Sequence, residues 1–98
     1  MHWRETLADI FGGYLNQQTI EDAVDQMIFV SSANDQYHQA FQLAFSKGIE
    51  SVRAGDKSII DVINTSGFQV DSFDSAARLI GEFQETYLRH FEQAKLRT

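Results

Sequence analysis

The chain has 98 residues, a formal net charge of −6 and 43% hydrophobic residues, among them eight Phe, three Tyr and one Trp. That is material for one domain with a core of its own. The negative charge disfavours nucleic acid and anionic membrane surfaces as direct partners. Cys is absent, which excludes a disulfide framework, a thiolate metal site and a cysteine nucleophile. No long apolar run marks a membrane span, and MHWRETLADI lacks the basic-then-apolar layout of a signal peptide, so the expectation is a cytoplasmic protein.

The apolar residues recur at three- and four-residue steps with no sustained alternation, and there is no Pro. This predicts an all-α fold, a single compact bundle of about five helices over residues 1–98. The first helix is expected from Trp3 to about Phe11, with Trp3, Leu7, Ile10 and Phe11 on one stripe. Gly12-Gly13 is expected to stop it, because glycine takes positive φ without a Cβ clash. The second helix should begin near Thr19 as N-cap, placing Glu21 and Asp22 in the first turn, where carboxylates complement the helix dipole. Its inner face would be Ile20, Ala23, Val24, Met27 and Ile28.

SSAND at 31–35 breaks that pattern, and Ser32 or Asn34 can cap a third helix running to about Ala54. Tyr37, Phe41, Ala44, Phe45, Gly48, Ile49 and Val52 are its expected inward residues. Gly55 closes it, and Asp56 can cap a short fourth helix packed through Ile59, Ile60, Val62 and Ile63 and ended by Gly67. The last helix should start at Asp71 or Ser72 and run to about Leu96, with Ala76, Ile80, Phe83, Tyr87, Phe91 and Ala94 forming one apolar stripe. It would be the long spine of the bundle.

Material for catalysis is thin. His2, His38 and His90 are scattered, and none has another His four residues on, as a helical zinc site would need. No calcium loop, P-loop, GxGxxG or GxSxG is present, so no enzyme, cofactor or metal is expected. Asp71-Ser72-Phe73 resembles the Asp-Ser-Leu triplet of acyl carrier proteins, in which the serine bears a phosphopantetheine arm. That resemblance would make Ser72 the attachment site. The simpler reading makes Asp71 or Ser72 the cap of the last helix.

Charge is more informative because it is lopsided. Residues 1–46 hold six acids and one base, residues 47–98 eight acids and seven bases, and no Lys or Arg lies between Glu5 and Ser46. On a helix starting near Thr19, Glu21 and Asp25 are four apart and Asp22 and Asp25 three apart, so they share a face opposite Ile20, Val24 and Met27. Like charges at that spacing repel, and no base within the helix offsets them. The face is either a solvated surface or an interface for a cationic partner. Asp9, Asp35 and Tyr14 extend the candidate contacts, Tyr14 being equally readable as a core residue with a satisfied hydroxyl.

LADIFGGYLNQQ (7–18) followed by TIEDAVDQM (19–27) resembles the immunity proteins of bacterial contact-dependent growth inhibition systems. There an apolar helix, Gly-Gly-Tyr, a polar turn and an acidic helix follow one another. The resemblance implies a small cytoplasmic inhibitor that binds the C-terminal toxin domain of a large exported effector, commonly a nuclease. It makes a basic ribonuclease domain the expected partner, bound one to one. Asp9, Tyr14, Glu21, Asp22, Asp25 and Asp35 are the expected contacts. A carrier protein, or a small scaffold that binds itself or a neutral partner, is the alternative.

Overall fold

The computed structural model describes residues 2–15 and 19–96. Five α-helices follow one another: α1 (Trp3–Asp9), α2 (Ile20–Ala33), α3 (Asp35–Arg53), α4 (Lys57–Thr65) and α5 (Phe73–Leu96). Among the described residues there is no strand. The buried side chains form one cluster drawn from every helix, with Leu7, Phe11, Met27, Phe45, Ile59, Ile63, Ile80, Phe83 and Tyr87 fully enclosed. The all-α bundle with a long last helix is therefore the observed architecture.

Its helix starts follow from local chemistry. Thr19 is extended, and its hydroxyl accepts from the Asp22 N–H at 3.1 Å. Asn34 does the same for Gln36 at 3.0 Å, and Asp56 for Ser58 at 2.9 Å. Each short side chain satisfies a first-turn N–H that has no carbonyl one turn earlier. His2 caps α1 through its ring, Nδ1 accepting from the Arg4 N–H at 3.1 Å. Gly55 and Gly67 close α3 and α4 at φ +89° and +103°, values that a side chain would strain.

Gly12-Gly13 behaves otherwise. The expectation of a stop at positive φ is overturned: neither glycine is left-handed, and the chain runs on from α1 through a π-helical turn, Ile10–Tyr14. The Leu15 N–H donates to the Ile10 carbonyl, five residues back, at 3.0 Å. The turn keeps Ile10, Phe11 and Leu15 all buried, Phe11 lying edge-on to Phe68 and Phe83. A Cβ on Gly12 would stand 3.4 Å from the Ser66 Oγ, an ordinary contact, so this turn lies beside the end of α4. Of the segment that follows, Asn16, Gln17 and Gln18 lie outside the described residues.

The spine, α5, packs against α2 and α3, while α1 lies across α3. At about 1.5 Å per residue its 24 residues span about 36 Å, which accounts for the long axis of a 40 × 24 × 20 Å molecule. Gly48 marks a close crossing, where a Cβ would meet Leu7 Cδ2 at 3.1 Å and Ile80 Cδ1 at 3.5 Å. Tyr37 is not an inward residue as expected. It remains 41% exposed at the start of α3, leaning on Phe41 at the rim of the core, because Tyr14 and Tyr87 already cover Phe41 edge-on.

Candidate functional site

The α2 helix supplies the most distinctive surface. Its inner face fills the core through Ala23, Val24 and Met27, while Glu21, Asp22 and Asp25 are exposed. Among the described residues, Glu21 and Asp22 form no salt bridge; Arg4–Asp56 (2.7 Å) and Lys47–Glu50 (3.8 Å) lie elsewhere. Asp25 reaches across to α5, its Oδ1 standing 3.2 Å from His90 Nδ1, and its side chain is still 69% exposed. The structure therefore keeps these three carboxylates on one open face, with one of them oriented by an imidazole.

The same face carries a residue the sequence reading did not select. Phe29 is 79% exposed, four residues after Asp25 and seven after Asp22, which puts it above them on the helix surface. The signal was available: Phe29 is out of register with the Ile20–Val24–Met27 stripe, so helical spacing alone directs it outward. It was lost among eight phenylalanines, most of which do face the core.

The other expected contacts lie on other elements. Asp9 is exposed at the end of α1. Tyr14 is half-buried at the end of the π turn, edge-on to Phe41 at 5.7 Å. Burial, followed by the neighbouring Tyr37 and Asp9, holds its phenol above the usual tyrosine range. Tyr14 thus serves the core and the surface together. Asp35 opens α3 and accepts from the Gln39 side-chain amide at 2.8 Å. Its charge acts on His38 and Tyr87, so Asp35 belongs to a different neighbourhood.

That neighbourhood is a polar cluster that local spacing cannot foretell, because His38 and Tyr87 are 49 residues apart. Tyr87 is fully buried, its hydroxyl 2.7 Å from His38 Nδ1, while His38 Nε2 stands 2.6 Å from the Gln42 amide nitrogen. The imidazole stacks on Phe91 with centroids 3.8 Å apart and planes inclined by 7°. Burial pushes the Tyr87 phenol up to about 12, against a hydrogen bond from Ser31. Burial also lowers His38 below the usual histidine range, opposed by Asp35. These groups join α2, α3 and α5 and bond one another.

Ser72 accepts from the Ser75 N–H at 3.1 Å and donates to the Ser75 hydroxyl at 2.9 Å, the work of a helix cap. One helix, α5, follows it. Among the described residues no three His, Asp or Glu side chains converge as metal ligands, and no helix is long and apolar enough to cross a membrane. Two surface depressions, beside Gly12 and Ser66 and around Asn64–Asp71, are open and each has a single carboxylate in its lining, Asp61 and Asp71. No family model, curated protein or solved structure matches this chain.

Proposed function

We propose that this chain is an immunity protein. In this reading it binds the basic C-terminal toxin domain of a bacterial contact-dependent growth inhibition effector, one to one, and covers the cleft where that domain holds its substrate. The observation that carries it is the exposed Glu21–Asp22–Asp25 face on a helix with no Lys or Arg of its own. A helix shaped by stability alone gains from interleaved bases, a few tenths of a kcal/mol per pair at about i,i+4 spacing. The resemblance of residues 7–27 to such immunity proteins supports the same assignment.

A ribonuclease is the favoured target. Nucleases hold phosphates with Lys and Arg, and carboxylates fixed on a rigid helix can pair with those same cations. Long-range attraction also raises the association rate, which suits an inhibitor that must act as soon as a toxin enters. The reading assigns the chain no catalysis and no cofactor.

The first test is the neighbouring gene, which should encode a large exported protein; the second is binding of the purified chain to that protein's C-terminal domain, measured at rising salt. Affinity should fall steeply with ionic strength, and the triple variant Glu21→Lys, Asp22→Lys, Asp25→Lys should lose most of it. Full-strength binding by that triple variant would overturn the assignment of this face.

A further inference from the structure

We infer that Phe29 is the anchor of the α2 face, a ring that enters an apolar socket on a basic protein partner while Asp22 and Asp25 pair with cations on the socket's rim. This rests on the proposed function and extends it from charge to shape.

Folding does not account for the ring. Ala23, Val24 and Met27 already fill the side of α2 that meets the core, and Phe29 stands 79% exposed on the opposite side. Its exposed neighbours on the adjoining turns are Asp25, Gln26, Ser32 and Ala33, none of them a large apolar residue. A bulky apolar side chain centred on a polar rim is the arrangement in which one residue dominates an interface. Such anchors are commonly aromatic and are desolvated inside a ring of weaker contacts.

The flanking charges decide what covers it. A second copy of this chain, meeting through the same patch in a two-fold dimer, would bring Asp22 and Asp25 against their own equivalents. A nucleic acid could stack a base on the phenyl ring, but its phosphates would approach the same carboxylates. An anionic lipid surface meets the same repulsion. A protein surface with Lys or Arg around an apolar depression satisfies both halves of the face. The two halves also separate kinetically, because rim charges govern encounter and a buried anchor governs residence.

The experiment is surface-plasmon kinetics at low and at high salt, with the immobilised C-terminal domain of the exported effector that the proposed function expects beside this gene. Phe29→Ala should speed dissociation about thirty-fold or more, with the association rate changed by less than about threefold. Phe29→Leu should recover much of the lost residence time. Asp22→Asn with Asp25→Asn should slow association and flatten its salt dependence. Because Phe29 is exposed, the melting temperature of Phe29→Ala should match the wild type, which separates lost binding from lost folding.

If the wild type binds with steep salt dependence and Phe29→Ala dissociates at the wild-type rate, the anchor is overturned and the proposed function stands. If the wild type does not bind, both fall. Sedimentation of the free chain gives a further check: a dimer abolished by Phe29→Ala would assign the ring to a second copy and overturn the inference.

Discussion

Tyr87 shows how one buried hydroxyl sets terms for its neighbours. It sits at full burial between His38 and Ser31, and a buried polar group without a partner costs more than a satisfied one contributes. Tyr87→Phe keeps the ring and leaves His38 Nδ1 without its bond, which should cost about 1–2 kcal/mol in urea unfolding at neutral pH. His38 carries the pH consequence. Its folded-state value lies below the usual histidine value of 6.5, so the unfolded chain binds the proton more readily. The stability it contributes is complete above that usual value and is lost as pH falls through the lower folded one. Thermal melts should therefore show a loss of stability between neutral and mildly acidic pH, and His38→Gln should flatten that part of the profile.

At the scale of elements, the helix starts were legible and the passage through Gly12-Gly13 was not. Thr19, Asn34, Asp56 and Ser72 are short polar residues ahead of apolar-periodic runs, and each caps where its own chemistry places it. Thr19→Ala should cost about 1 kcal/mol, read as a lower melting temperature, because an N–H of the first turn of α2 loses its acceptor. The π turn depends on Phe11 being drawn between Phe68 and Phe83, contacts more than fifty positions away that glycine spacing cannot announce. Along α2, the periodicity locates both faces, and the outward place of Phe29 follows from its register with the apolar stripe, not from charge.

Across the whole molecule, tight crossings and long-range ties hold the helices in place. A side chain larger than methyl at Gly48 must displace Leu7 or Ile80. Gly48→Leu should thus destabilise by about 1–3 kcal/mol, measurable as a lower urea midpoint with little change in far-ultraviolet circular dichroism. Arg4 ties α1 to the start of α4, reaching Asp56 at 2.7 Å and Ser58 at 2.6 Å. The Ser58 hydroxyl and the Arg4 guanidinium together hold the Asp56 carboxyl down to about 2. A carboxylate with a lowered folded value contributes stability that is present above its ordinary value near 3.8 and is lost as pH falls toward about 2. Acid unfolding of Arg4→Gln should lack part of that dependence.

The sequence by itself determined the helical class, the caps, the apolar stripes and the concentration of negative charge in the first half. The class, caps and stripes depend on residues within a turn or two of one another, which a 3.6-residue repeat makes readable, and the charge is read by counting. Only the tertiary structure decided that Gly12-Gly13 continues a helix, that Tyr37 stays at the rim, and that Asp25 meets His90. Those outcomes depend on which helices cross and at what depth, and packing fixes that between side chains tens of residues apart.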